Sequence, residues 1–271
     1  PEAAACAKES SVQAGVSCLI RLRYGAHPGA LKLAIEWYAS TGSVAGVEEA
    51  HVMDGGWRGK LSLVPELPVR HHRRHLAWIV SAFADFGRFF DGLGEAAQQR
   101  YHHQPIALRF FRSVGRTTPS AYAHPWVIAY NVSGSLHRGP DAVRETLFHE
   151  IFHLNDSTRG DWSRKHLTPH YDAIVARCTG HGRLSTPCLR PYAPGDTMVR
   201  GGTYYAFQPG NGVGEYAAEL ATRYYQEHRR LLAGKALSRP PFKCGPKPNG
   251  QVWSMFVDEF FGGVDRVAAC P

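Results

Sequence analysis

Apolar residues return at three- and four-residue steps through residues 69–100, where Leu76, Ile79, Val80, Phe83, Phe86, Phe89 and Phe90 mark one face. That period predicts a long amphipathic helix. Residues 60–64 alternate polar and apolar instead, which predicts a half-buried strand closed by Pro65 and Pro68. Residues 106–111 and 126–132 read as two further strands, the second ending at Gly134. Toward the N-terminus, 16–24 reads as a strand and 30–39 as a short helix, with glycine-rich breaks at 42–46 and 55–59. After Asp156 the pattern dissolves into a loop-rich stretch reaching about Gly214, punctuated by Pro169, Pro187, Pro191, Pro194 and Pro209. A helix over 213–232, stopped by Gly234, and an amphipathic helix over 251–261 close the chain.

One segment is apolar nearly all round. Ala142, Val143, Leu147, Phe148, Ile151, Phe152 and Leu154 predict a helix buried in a core. Pro140 and Asp141 are its start signal, with Asp141 as the expected N-cap. The order of elements predicts an α+β architecture, a helix packed on a mostly exposed sheet. The expected division is an N-terminal extension of unclear role over residues 1–59 and one domain over 60–271. No internal repeat or low-complexity tract is present.

Composition narrows the setting. A length of 271 residues suffices for a real core, and no apolar run reaches membrane-spanning length. The net charge of +8 is spread along the chain without any nucleic-acid-binding motif, so neither nucleic acid nor a membrane span is expected. A first residue that is Pro1 rather than Met leads us to expect a processed or trimmed chain. The six cysteines form three sequence-local pairs, none spaced as Cys-x-x-Cys. Loop length favours the disulfides Cys6–Cys18, Cys178–Cys188 and Cys244–Cys270, and hence an oxidising, secreted setting, extracellular or periplasmic.

The chemistry concentrates in the buried helix, which contains His149-Glu150-x-x-His153. Residues four apart lie on one face, so both imidazoles can share one zinc ion while Glu150 reaches a zinc-bound water as general base. Such polar groups inside an apolar helix would be costly unless something satisfied them. A catalytic zinc needs a third protein ligand and an open position. The metzincin spacing fails, because Asp156 and Arg159 stand where it needs Gly and His, and Gly202-Thr203 is followed by Tyr204 and Tyr205 rather than the Asp of the aspzincin pattern. Glu215 and Glu219, one helical turn apart in Gly-Glu-Tyr-Ala-Ala-Glu-Leu-Ala, remain. Glu215 would ligate zinc and Glu219 would accept the free ring N–H of His149; an exposed acidic pair is the plainer alternative. The run His71-His72-Arg73-Arg74-His75 is expected to be a solvated helix start, because adjacent positions point apart.

With these two motifs the chain resembles the gluzincin metallopeptidases. It is most similar to the catalytic domain of anthrax lethal factor and the Pro-Pro endopeptidases. The resemblance implies a zincin-like fold with a small mixed sheet, an active-site helix and a mostly helical C-terminal part. It also implies one Zn(2+) per chain on His149, His153 and Glu215, and an upstream tyrosine stabilising the oxyanion. The residue seven before Glu215 is Gln208, so Tyr204 and Tyr205, slightly further upstream, are the candidates. The implied function is a secreted zinc endopeptidase acting on peptide or protein substrates, with 126–132 pairing to the extended substrate. Two alternatives stand beside it. One is a zinc amidase acting on cell-wall peptides. The other is a non-catalytic extracellular binding protein with a structural zinc, closed by a fourth ligand from His166, His170 or His181.

Overall fold

A computed structural model describes residues 5–55, 59–199 and 201–271. In chain order it contains helices α1 (Val12–Tyr24) and α2 (Pro28–Thr41), strands β1 (Val44–Val47), β2 (His51–Asp54) and β3 (Lys60–Pro65), and helices α3 (Arg73–Leu93) and α4 (Glu95–Arg100). Strands β4 (Ala107–Ser113), β5 (Ala121–His124) and β6 (Val127–Asn131) lead to helix α5 (Pro140–Thr158). Then come α6 (Trp162–His166), α7 (Thr168–Cys178), the small hairpin β7 (Thr179–Gly180) and β8 (Arg183–Leu184), α8 (Thr186–Leu189), α9 (Val213–Leu232) and α10 (Lys247–Phe261). The architecture is α+β, as expected. The chain groups into two compact units, Pro1–Asp85 with His103–Glu150, and Phe86–His102 with Ile151–Pro271. The glycine-rich break at 55–59 includes residues 56–58, which lie outside the described residues.

The first unit is built on a mixed sheet in the order β2-β3-β4-β6-β5, with β1 also paired to β4. On one edge of β4, β1 runs parallel from Val44 opposite Ala107 to Val47 opposite Phe110, and β3 runs antiparallel opposite Phe111 to Ser113. Strand β6 runs parallel along the other edge. Alternate side chains of β4 point to opposite faces, yet Leu108, Phe110 and Phe111 are all buried. Leu61, Leu63, Phe111 and Ala129 form one cluster, with Met53 and Tyr122 packed against it. The sheet is therefore not mostly exposed, because its centre is covered on both faces. Strand β6 is not an edge either, since it is bonded to β4 on one side and to β5 on the other.

The second unit has an aromatic core. Phe90, Tyr101 and Phe261 stack on one another, Tyr224 stacks on Phe261, and Phe152 meets Phe256 and Phe260. Rings of this size supply most of a core's apolar area. A buried ion pair, Arg223 with Glu227, also receives the backbone N–H of Phe242 at 3.0 Å. All three expected disulfides are present: Cys6–Cys18, Cys178–Cys188 and Cys244–Cys270.

Three local expectations change. Residues 16–24 belong to a helix, capped by Ser11, whose Oγ accepts from the Ala14 N–H at 3.1 Å; its buried residues Ile20 and Tyr24 are four apart, a helical spacing. The stretch after Asp156 is loop-rich only beyond Tyr192, and before that it holds α6, α7 and α8. Pro169 and Pro187 stand in the first turns of α7 and α8, where proline costs no hydrogen bond and its fixed φ suits the helix. Helix α5 starts at Pro140, so Asp141 lies in its first turn instead of capping it. Its charge still complements the helix dipole there.

Candidate metal centre

Helix α5 is held by its apolar positions: Val143, Leu147, Phe148, Ile151 and Phe152 are all fully buried. Its far end is fixed by side-chain hydrogen bonds. The Asn155 carboxamide accepts from the His102 N–H at 2.9 Å and donates to the His102 carbonyl at 2.7 Å. Asp156, excluded above as part of a metzincin motif, accepts from the Ser163 N–H at 2.8 Å and from the Ser163 hydroxyl at 2.6 Å. It anchors the start of α6.

On this fixed helix His149 and His153 stand one turn apart. Glu215 comes from the first turn of α9, which is lined by Ala217, Ala218 and Ala221, all fully buried. His149, His153 and Glu215 each offer a ligand atom, and these atoms lie within 4.8 Å of one another. His153 Nε2 and Glu215 Oε1 are 3.6 Å apart, their side chains 23% and 25% exposed, so solvent can reach the group. Glu150 is buried at 8% exposure. It neighbours His149 in sequence and is not part of the three-atom group.

The donor set of two imidazoles and one carboxylate suits a borderline divalent cation such as zinc. Tetrahedral zinc with bonds of about 2.0–2.1 Å puts ligand atoms about 3.3 Å from each other, and the 3.6 Å between His153 and Glu215 needs little closure to reach that. Among the described residues no other group of three His, Cys, Asp or Glu side chains is arranged to hold a metal. His166, His170 and His181 do not join the triad. The His166 ring stacks on Trp162, and His181 sits in the β7–β8 turn with a φ of 50°.

The remaining candidates sit on anchored backbone. Tyr204 is 8% exposed and its backbone bridges to Met198. The Tyr205 N–H donates to the Thr197 carbonyl at 2.8 Å, and its own carbonyl accepts from the Asn211 carboxamide at 3.1 Å. Tyr205–Phe207 forms a single 3-10 turn ahead of α9, and Phe207 packs on Tyr171 and Tyr216. Glu219 is half-buried one turn beyond Glu215, with its carboxylate against the backbone at Gly195. No sequence signal singled out Gly195.

Away from the triad, the basic run at the start of α3 departs from the expected solvated helix start. His71, Arg73 and Arg74 are exposed, but His75 is buried and its Nδ1 lies 2.9 Å from the Tyr130 hydroxyl. His137 stacks on the same tyrosine with ring centroids 3.9 Å apart, and its Nδ1 donates to the Asn131 carbonyl at 2.8 Å. Burial lowers both histidines, to about 3 for His75, where the nearby His137, His72 and Arg74 add to the effect, and to about 4 for His137. Both rings are therefore neutral at ordinary pH.

Comparison with protein-family models, with curated proteins and with solved structures found no match.

Proposed function

We propose that this protein is a secreted zinc-dependent endopeptidase of the gluzincin type, with a zincin-like fold. The observation that carries the reading is the convergence of His149, His153 and Glu215 to within one ion's reach, with Glu150 beside the first histidine. Three ligands without a fourth among the described residues support an open, catalytic position over a closed structural one. The three disulfides support an oxidising compartment. No helix among the described residues is long and apolar enough to cross a membrane.

In this reading a zinc ion held by His149, His153 and Glu215 would supply Lewis acidity for activating a water and polarising the scissile carbonyl. The chain's own residues do the rest. His149 and His153, fixed on a rigid helix, and Glu215 set the position of the reacting centre. The Glu150 carboxylate takes the proton of the attacking water and later delivers it to the leaving amine. Tyr204 or Tyr205 is assigned to the oxyanion, which a phenol hydroxyl can stabilise by donating a hydrogen bond. An extended substrate cannot add to β6, which is paired on both sides. We assign that role to the outer edge of β5, which pairs only with β6 among the described strands.

The test is zinc content and peptide hydrolysis for three variants side by side. Glu150→Gln should keep zinc and lose about 10²–10⁴-fold in activity. Glu215→Ala should lose zinc affinity and regain part of its activity with excess zinc. Glu219→Ala should lose about 10–100-fold in affinity. A fully active Glu150→Gln enzyme would reject the mechanism, and a Glu215→Ala variant binding zinc like wild type would reject the ligand set. Assaying cell-wall peptides beside a general peptide library separates an endopeptidase from a cell-wall amidase.

A further inference from the structure

The segment around Gly195 lies against Glu219 more closely than any side chain would allow. A Cβ built on Gly195 would collide with Glu219 Oε2 and sit 3.0 Å from its carboxyl carbon. Gly195 is not among the residues with positive φ, so the backbone conformation does not call for glycine here. The occupied space does.

The backbone at this point is tied down on both sides. Pro191 O accepts from the Asn249 carboxamide at 2.8 Å. Arg239 donates to Pro194 O at 3.0 Å and pairs with Asp196. The same guanidinium reaches Gln226 Oε1 at 3.3 Å. Gln226 lies seven residues after Glu219 on α9, on the same face of the helix. The 191–196 segment is thus a strap fastened to α10 at one end and to α9 at the other, with Gly195 against the carboxylate between them. A methyl group at 195 would meet the far end of a flexible side chain on one side and tethered backbone on the other, so the carboxylate would move.

We propose that Gly195 is a positioning residue for the metal centre. It leaves room for the Glu219 carboxylate beside the strap, one turn from Glu215, and the strap fixes where that carboxylate points. This rests on the metal-site reading above. In that reading the Glu219 carboxylate would accept the free ring N–H of His149; a carboxylate so placed sets ring orientation and ligand basicity, so displacing it should weaken metal binding without breaking the fold.

The experiment measures zinc affinity, by competition with a chromophoric chelator, and metal-free thermal unfolding. It uses wild type, Gly195→Ala, Glu219→Ala and the double variant. Gly195→Ala should lose about 10–100-fold in zinc affinity with little change in unfolding temperature. The double variant should match Glu219→Ala alone, because removing the carboxylate frees the space. Wild-type affinity in Gly195→Ala, or an equal loss with and without Glu219, overturns the proposal while leaving the metal site standing. A wild-type protein that binds no zinc overturns the metal-site reading and this proposal together. If Gly195→Ala alone fails to fold, the double variant decides. It should fold and bind zinc like Glu219→Ala, and a double variant no better folded than Gly195→Ala refutes the steric account.

Discussion

Acid should destabilise this protein through His137. The residue is 3% exposed, and burial holds its pKa at about 4 against an ordinary 6.5. Its Nδ1 proton is committed to the Asn131 carbonyl, so a second proton must go to Nε2, which is buried and has no hydrogen-bond partner. The unfolded chain takes that proton near pH 6.5, whereas the folded chain resists it until about pH 4. The unfolded state therefore binds more protons between those values, and stability falls as pH drops through that window. One pKa unit is worth about 1.4 kcal/mol, so going from pH 7.5 to 5 should cost about 2 kcal/mol through His137 alone. His75, lowered for the same reason, acts in the same direction. The assay is urea unfolding of the metal-free protein at pH 7.5 and pH 5, wild type against His137→Gln. Titrating groups away from His137 are common to both proteins and cancel in the difference; His75, lowered in part by His137 itself, is removed from the comparison by making both measurements in a His75→Gln background. The variant should be less stable at pH 7.5 but lose about 2 kcal/mol less than wild type on acidification. An unchanged pH dependence would refute the argument.

Other outcomes follow from features at a distance from that histidine. Metal analysis should find one zinc per chain in wild type and none in His149→Ala or His153→Ala. Glu227→Ala should cost about 3–5 kcal/mol in denaturant unfolding, since it strands the buried Arg223 guanidinium and removes the acceptor of the Phe242 N–H; a loss under about 1 kcal/mol would contradict this. The denatured, unreduced protein should show no reactive thiol. Replacing Cys244 and Cys270 together should cost about 3.5 kcal/mol on the chain-entropy relation for a separation of 26 residues.

The parts of this structure that could be read from sequence are those set by local spacing. His149 and His153 share a face because four residues make about one turn, and Glu215 could be nominated because it opens a second helix. The disulfides followed from short loops. The errors came where something distant decided. Residues 16–24, with their valine, leucine and isoleucine, suited a strand until burial picked out Ile20 and Tyr24. Prolines between Asp156 and Gly214 read as helix breakers, but proline position within the first turn mattered more than proline number. That β6 lies inside the sheet depends on β5 turning back beside it. The burial of His75 depends on Tyr130 from another strand. Gly195 carries meaning only through the carboxylate packed against it.

The pairing of β4 has a consequence for how the chain must fold. One edge of this strand is completed by β1 and β3, and Val44 finds its partner only at Ala107. Closing that loop costs entropy before any ladder bond repays it, so sheet assembly should be the slow step of refolding. The disulfides do nothing to shorten it, because their separations of 12, 10 and 26 residues all close loops elsewhere in the chain. Until β4 arrives, β1 and the hairpin of β2 and β3 present unpaired backbone to other molecules. Recovery from the denatured, oxidised state should therefore depend on protein concentration, with intermolecular strand pairing as the competing fate.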